Sequence, residues 1–302
     1  LSLKVDLFIF TFLSQWFISK FIMKRLFIYI FVLLFFSNSY AKDVSEFFNN
    51  LIPGEGLTEA SIQINEDDNP DIEILALRDI ESTNNSNLFT QFSLHTQETN
   101  GHDRLIGNIG LGYRKLSHDK SNVVGVNLFL DNDFNAGHQR GSVGFELKGA
   151  NLDITANSYH KITNMEVYKS TEEQVLTGYT INLATQIPYA PWAKINWENY
   201  SWENEKASSD TEGNSLALEA YLSPSGQLEL KNDMSDSSGI DDEFTSKLTF
   251  IYPPREDGKS MKDGFSNVAF EKENVQKKLK EKVKRNNNLT VEVQGSIIVT
   301  SK

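Results

Sequence analysis

Cysteine is absent from this 302-residue chain. Its absence excludes disulfide bonds, thiolate zinc sites and cysteine nucleophiles, and it suits a bacterial chain that crosses an oxidising periplasm. Basic residues are also scarce, because 29 Lys and Arg face 41 Asp and Glu, for a net charge of −12. Phosphate contacts need a basic surface, so this balance argues against a nucleic-acid partner.

Long apolar runs are missing beyond the N-terminus. Hydrophobic residues make up 39% of the chain and the mean hydropathy is −0.39, which excludes a polytopic helical membrane protein. The length allows one large domain or two ordinary ones.

The N-terminus carries the most specific local signal, "MKRLFIYIFVLLFFSNSYA" from Met23 to Ala41. Lys24 and Arg25 precede an apolar core, and Ser39-Tyr40-Ala41 resembles a cleavage site, so the pattern predicts a signal peptide. The start is expected at Met23, with residues 1–22 upstream of it. An uncleaved anchor is the alternative, although the core is shorter than the roughly 20 residues that a spanning helix needs.

From Leu57 to Tyr252 the sequence predicts only strands and turns. The candidates are of even number, and each is close to the roughly 9–11 residues of a tilted membrane-spanning strand. They are 57–65, 71–78, 88–96, 104–114, 122–132, 139–148, 151–159, 178–187, 191–200, 214–223, 225–232 and 243–252.

Apolar and polar residues alternate along these strands. In "VVGVNLFLDND" one face carries Val124, Val126, Leu128 and Leu130, and the other is small or polar; "LIGNIGLGYR", "GYTINLATQI", "SLALEAYL" and "FTSKLTFIY" repeat the pattern. A soluble sandwich and a lipid-facing barrel both produce such alternation.

The turns distinguish these two possibilities. "GAN", "IPYAP" and "PSG" are short, whereas the connections 161–178, 201–213 and 234–242 are long and polar. Short turns on one rim and long loops on the other are typical of an outer-membrane barrel, and strands cross lipid only as a closed cylinder. Aromatics near strand ends form interfacial girdles or, alternatively, ordinary core: Tyr113, Phe134, Tyr159, Tyr189, Trp192, Tyr200, Trp202 and Tyr252.

Three segments carry a family resemblance: "VVGVNLFLDNDFNAGHQRGSVGFELKGANLDITANSY", "TGYTINLATQIPYAPWAKINWENY" and "VKRNNNLTVEV". Together they resemble the β-domain of intimin and invasin, the inverse autotransporters, over roughly Leu57 to Val293. Val126 and Leu147 depart from the aromatic residues usual in the family. The matching positions of the first segment are Gly125, Asn127, Asp131, Asp133, Phe134, Gly137, His138, Arg140, Gly144 and Glu146.

The resemblance implies an all-β fold, an antiparallel transmembrane barrel of about twelve strands whose C-terminal helix or linker threads the lumen and carries a passenger outward. Family members continue into immunoglobulin-like and lectin-like passengers, and here the passenger is expected to be missing or very short. The implied division is 1–41 for upstream residues and signal peptide, 42–56 for a periplasmic lead, 57–254 for the barrel, and 255–302 for the plug helix and passenger stub.

The segment after the barrel is strongly basic. "AFEKENVQKKLKEKVKR", residues 269–285, predicts a helix with Phe270, Val275, Leu279 and Val283 along one stripe. The hypothesis is that Lys277, Lys278, Lys280, Lys284 and Arg285 plug a lumen whose inward acids include Asp131, Glu146, Glu219 and Glu229. A solvated basic helix is the alternative. "NLTVEVQGSIIVTS" then predicts one or two short strands.

No pattern of catalytic or metal-binding residues is complete. "DNDFNA" lacks the Gly and the terminal Glu of a calcium loop. The two acid clusters, 66–73 and 239–243, are solvated loops or cation sites near lipopolysaccharide, the former being favoured. The five histidines show no HExxH spacing; a phospholipase-like pair of His95 or His160 with a serine is the weak alternative. The chain is therefore predicted not to be an enzyme and to need no cofactor or metal.

The predicted function is an outer-membrane translocator of a Gram-negative bacterium with a role in surface display and adhesion. A small pore and a surface-loop adhesin are the alternatives. Expected partners are outer-membrane lipid and lipopolysaccharide, periplasmic chaperones, the barrel assembly machinery, and a host or neighbouring-cell surface. Phe250 and Tyr252 in the last strand are the predicted assembly signal.

Overall fold

The computed structural model describes residues 52–65, 69–207, 209–237, 242–256, 258–272, 274–293 and 296–298. The predicted signal peptide, residues 1–41, and most of the predicted periplasmic lead lie outside the described residues. No helix among the described residues is long and apolar enough to cross a membrane.

Twelve antiparallel strands form a closed barrel in the order β1-β14-β13-β12-β11-β10-β7-β6-β5-β4-β3-β2. The first and last strands close it, with Thr58 opposite Tyr252 and Asn65 opposite Thr245. The barrel strands are β1 Gly56–Asn65, β2 Asp71–Ser82, β3 Ser86–Thr99, β4 His102–Leu116, β5 Val123–Asp133, β6 Gln139–Lys148, β7 Leu152–Lys161, β10 Thr177–Ile187, β11 Ala190–Glu203, β12 Thr211–Ser223, β13 Gly226–Ser235 and β14 Glu243–Tyr252. The predicted twelve-stranded barrel is confirmed.

The strands separate an apolar exterior from a polar interior. On β5, Val126 and Leu128 are more than half exposed, whereas the neighbouring Asn127 and Asp131 are buried inside the barrel. Because side chains alternate along a strand, one face of each strand meets lipid and the other lines the lumen. The buried core of the molecule is therefore the filled lumen.

The two rims of the barrel differ. One rim, called here the short-turn rim, carries turns of two to six residues, at 83–85, 117–122, 149–151, 188–189 and 224–225. The opposite rim, the long-loop rim, carries the longer connections 162–176, 204–210 and 236–242 together with shorter ones at 66–70, 100–101 and 134–138. The first of these loops contains a hairpin that the sequence did not predict. Its strands, β8 Glu166–Tyr168 and β9 Thr171–Val175, form a second sheet with β15 Val291–Val293 and β16 Ser296–Ile298.

The predicted helix over 269–285 is wrong. The structure has two short 3₁₀ helices, Met261–Asp263 and Val275–Lys280; the backbone is extended at Glu281, and residues 281–285 are in neither helix nor strand. Consecutive residues of an extended chain point to opposite sides. Inside the barrel, a non-helical backbone lets neighbouring charged side chains reach different walls. Side chains along one stripe of a helix would all face the same wall.

For three of the aromatic residues near strand ends, the core alternative applies. Tyr159, Tyr200 and Trp202 are buried and pack together in the lumen with Leu176. These residues are candidates for the interface because they lie near predicted strand ends. The strand β11 extends to Glu203, beyond the predicted end at residue 200, so Tyr200 lies within the strand. On the outside of the barrel and at its rims, large exposed aromatic side chains include Tyr113, Phe134 and Tyr189.

Candidate functional site: the threaded lumen

The C-terminal segment, residues 253–293 and here called the linker, passes through the barrel. It enters the lumen at the short-turn rim, where Val275 and Leu279 pack against Leu116 of β4 and Val123 of β5. It emerges at the long-loop rim, where Val291–Val293 pairs antiparallel with Val175–Glu173 of β9. The linker therefore connects the two rims through the interior.

Ion pairs hold the entrance. Lys278 Nζ lies 2.7 Å from Asp153 Oδ1, and Glu281 Oε2 lies 2.9 Å from Lys148 Nζ. Lys280 Nζ reaches Asp79 Oδ2 at 2.7 Å while its own side chain stays 51% exposed.

The middle of the lumen holds three further basic side chains of the linker. Lys282 Nζ lies 2.6 Å from Glu59 Oε2. Lys284 Nζ lies between two carboxylates on neighbouring strands, 2.7 Å from Glu219 and 3.4 Å from Glu229. These contacts reach β1, β12 and β13, and the Arg285 guanidinium contacts Asp131 of β5 at 2.7 Å. Nearby residues of the linker thus form ion pairs with opposite walls of the barrel.

Polar side chains of the wall satisfy the backbone of the linker. Gln91 Oε1 accepts from the Val283 amide at 2.7 Å. The Gln97 side chain bonds both backbone groups of Leu289: Oε1 accepts from the N–H at 2.9 Å, and Nε2 donates to the carbonyl at 2.8 Å. Arg114 donates to the carbonyls of Leu279 and Glu281. Since buried backbone groups need partners, these side chains replace the strand neighbour that an extended segment lacks.

Two glycines of β4 make room for the apolar contacts of the linker. A Cβ added to Gly112 would lie 2.3 Å from the Phe89 ring, and one added to Gly110 would lie 2.4 Å from the Phe129 ring. Both rings are buried with Val283 of the linker and Leu77. The glycine pattern of "LIGNIGLGYR" therefore serves packing inside the lumen.

The long-loop rim closes around the emerging linker. The buried Glu292 carboxylate accepts from the backbone amides of Glu205, Lys206 and Ala207 at 3.0, 3.0 and 2.8 Å. Glu173 of β9 turns inward to Arg104, with two contacts at 2.6 and 2.7 Å. Two separate loops, 162–176 and 204–210, thus hold the same short stretch of the linker.

The residues predicted to plug the lumen divide into two groups. Lys278, Lys284 and Arg285 contact lumen carboxylates, as does the half-exposed Lys280, but Lys277 donates to the Glu256 carbonyl outside the lumen. Of the predicted acids, Asp131, Glu219 and Glu229 contact the linker, whereas Glu146 pairs with Arg114 and Lys148 of the wall.

Sequence reasoning missed several partners. Glu59, Asp79 and Asp153 occupy inward positions of β1, β2 and β7, so the alternation of each strand contains the signal for them. Glu292 carries no such signal, because its partners are backbone amides of a loop.

The linker does not fill the lumen evenly. On the side of β10 to β13 a small recess lined mainly by polar side chains remains. Its lining includes Asn196, Glu198, Lys231, Asp233 and, from the linker, Lys284. The wall side chains that bond the linker backbone come from β3, β4, β6 and β7.

The described residues hold no cluster of histidine and acidic side chains suited to a metal ion. Asp131 and Asp133 of the "DNDFN" segment are buried and contact Arg285 and Arg104. On the outer face of β7, Ser158 Oγ and His160 Nε2 lie 3.0 Å apart. A serine hydrolase also needs a group that orients the imidazole, and in the part of the chain that the structure describes no such group contacts His160.

Comparison with known sequences identifies the family. The family model described as "Inverse autotransporter, beta-domain" matches residues 33–287. The chain belongs to this family. The inverse autotransporter β-domain described here is consequently a barrel of the Gram-negative outer membrane.

The chain is also similar to three individual proteins. An attaching and effacing protein homolog of Escherichia coli (strain K12) is 31% identical over 118 residues, which cover 37% of this chain and 38% of that protein. A structure solved in work on the in-meso crystallization of membrane proteins has 17% identity and a TM-score of 0.63, covering 79% of this chain and 100% of the other, and shows the fold alone. The NanC porin, at 11% identity, covers 64% of this chain with a TM-score of 0.45.

Proposed function

We propose that this β-domain is a translocator, an outer-membrane barrel that anchors and exports a C-terminal segment of its own chain. The observation that carries the proposal is the path of the linker, which enters at the short-turn rim and leaves at the long-loop rim. In outer-membrane barrels short turns face the periplasm and long loops face outward. Whatever follows β16 therefore begins outside the cell.

The contacts in the lumen support an anchoring role for the same segment. Five basic side chains of the linker, Lys278, Lys280, Lys282, Lys284 and Arg285, meet carboxylates of six strands. Such a distributed set of charge-assisted contacts resists sliding better than a single contact, because every pair must break before the chain moves. The attaching and effacing protein homolog among the relatives supports display for attachment to a host or neighbouring cell as the biological role.

Surface labelling tests the direction of export. An epitope placed after Lys302 of the full chain should bind antibody on intact cells. The matched control places the same epitope in the β6–β7 turn, residues 149–151 of the short-turn rim, and should bind only after the outer membrane is permeabilised. Detection of the C-terminal epitope only in permeabilised cells would overturn the proposal.

Assembly partners belong to the same proposal. A barrel that crosses the periplasm needs periplasmic chaperones and the barrel assembly machinery, and we propose that Phe250 and Tyr252 of β14 form the recognised end strand. They share one side of β14 and lie opposite Ala60 and Thr58 of β1. Phe250→Ala with Tyr252→Ala should lower the folded, heat-modifiable fraction in outer membranes, whereas Phe244→Ala at the other end of β14 should not. Equal loss in both variants would contradict the assignment.

A further inference from the structure

The linker does not enter the lumen directly. Its first part, residues 258–272 and here called the collar, follows the short-turn rim, and its 3₁₀ turn Met261–Asp263 packs against β12. Trp192 Nε1 donates to the Gly264 carbonyl at 2.9 Å. Tyr189, in the β10–β11 turn, donates its amide to the Ala269 carbonyl and accepts from the Ser266 amide, both at 2.8 Å.

The collar reaches the next turn before it goes inside. With its side-chain amide oriented so that both atoms are satisfied, Asn151 of the β6–β7 turn donates to the Glu271 carbonyl at 2.8 Å. The backbone of the collar is thus tied to the rim over the sector from β12 to β6.

Large apolar side chains of the collar remain uncovered although its backbone is fixed. Phe265 is 76% exposed, Val268 60% and Phe270 45%, and Met261 and Tyr189 are also more than half exposed. The Phe265 ring contacts Trp192, with 5.8 Å between the ring centroids. A contiguous group of exposed apolar residues marks a contact with lipid or protein.

The lipid-facing band reaches the rim in this sector. On β7 the outward series begins at the rim with Leu152 and becomes polar at Ser158 and His160, toward the long loops. The apolar band therefore reaches the short-turn rim on β7 beside the collar, and the collar adds one more apolar layer to it.

We propose that the collar is an interfacial membrane anchor, in which Phe265, Val268 and Phe270 contact phospholipid at the headgroup boundary of the periplasmic leaflet. Aromatic side chains favour this boundary, and the continuity with the outward Leu152 and Ile187 determines lipid as the occupant. Lys262 and Lys272 of the collar extend their ammonium groups to the headgroups or water. This membrane contact involves only the collar, outside the lumen, and it does not require that the linker exports a passenger.

Fluorescence quenching tests the proposal, and the absence of cysteine makes the labelling clean. Single variants Phe265→Cys, Val268→Cys and Phe270→Cys of the full chain carry an environment-sensitive nitrobenzoxadiazole label in phospholipid nanodiscs. Doxyl-labelled phospholipid and aqueous iodide serve as separate quenchers. The matched controls are Lys262→Cys on the same segment and Val167→Cys on the exposed hairpin of the long-loop rim. Heat-modifiable migration establishes that each variant is folded.

The three apolar positions should show blue-shifted emission, at least two-fold stronger quenching by doxyl lipid than the controls, and at least two-fold weaker quenching by iodide. Iodide quenching equal to that of Lys262→Cys would overturn the proposal, because the side chains would then lie in water. Shielding from iodide without doxyl quenching would also overturn it, since a protein surface would then cover the collar.

Discussion

Arg285 and Asp131 form a fully buried ion pair that joins the linker to the barrel wall. Nη2 of Arg285 lies 2.7 Å from Oδ2 of Asp131, and both side chains are 0% exposed. Arg140 contacts the same carboxylate oxygen at 2.9 Å. One carboxylate therefore balances two guanidinium groups in the middle of the lumen.

This arrangement predicts unequal effects of the two substitutions. Asp131→Asn leaves two buried guanidinium groups without their countercharge and should lower the free energy of unfolding by about 3–5 kcal/mol, the usual cost of breaking a buried pair. Arg285→Met should cost less, because Asp131 keeps Arg140 and the Asn108 amide. Urea unfolding in lipid vesicles measures both, and the double variant isolates the coupling. Equal costs would contradict the shared-carboxylate interpretation.

The linker should block ion flow through the barrel. Deleting residues 263–302 removes every linker side chain from the lumen, so planar-bilayer conductance should rise well above that of the intact protein. Lys277→Met is the matched control, because Lys277 contacts the Glu256 carbonyl outside the lumen, and it should leave the intact protein nearly silent. An intact protein that conducts as well as the deletion variant would favour a pore function instead.

Glu292 should fix the linker at its exit. Glu292→Ala removes the acceptor of three loop amides and should cost roughly 1–3 kcal/mol locally, as unsatisfied buried donors do. Hydrogen exchange at residues 205–207 should accelerate. Glu172→Gln is the control, because Glu172 forms an exposed pair with Lys206, and exposed pairs contribute little. Unchanged exchange in Glu292→Ala would show that the loop is held by other contacts.

The β4–β5 turn should respond to acid. Hydrogen bonds from the hydroxyls of Ser117 and Ser121 and from the Ser121 amide lower the pKa of Asp119 to about 2. A carboxylate whose pKa is lowered by folding stabilises the turn above its unfolded pKa, and this contribution disappears as the pH falls toward 2.

Carboxyl ¹³C titration of Asp119 measures this pKa directly. Ser117→Ala should raise it, because the hydroxyl of Ser117 is the largest cause of the shift. Asp119→Asn should destabilise the turn at pH 7, and this effect should vanish as the pH falls below about 2. A midpoint near 4 in the unmodified protein would contradict the hydrogen-bonding explanation.

The barrel was predictable from sequence because lipid imposes a period of two. Val124, Val126, Leu128 and Leu130 face one solvent along all of β5 while their neighbours face another, and this contrast repeats in every strand where the pattern is clear. The conformation of the linker was not predictable in the same way. Val275, Leu279 and Val283 fit a helical stripe, but Val283 packs in a different cluster from the other two.

The environment of the linker determines its conformation. Residues 281–285 bind walls that lie on different sides of them, and those walls are distant in sequence, as the pair of Lys282 with Glu59 shows. Local sequence contains no record of such partners. The plugging charges were predictable as a basic cluster, whereas their individual partners required the closed cylinder, since only closure brings β1, β5 and β13 around one chain.

The route of the linker has a mechanical consequence. The chain leaves β14, follows the rim past β12, β10 and β6, and enters beside β5 and β4, so it travels the longer way around the ring. A force that pulls on the linker from outside is therefore distributed over its contacts with many strands of the barrel before it reaches β14. The pairing between β1 and β14, the first and last strands of the barrel, is thereby protected from this force.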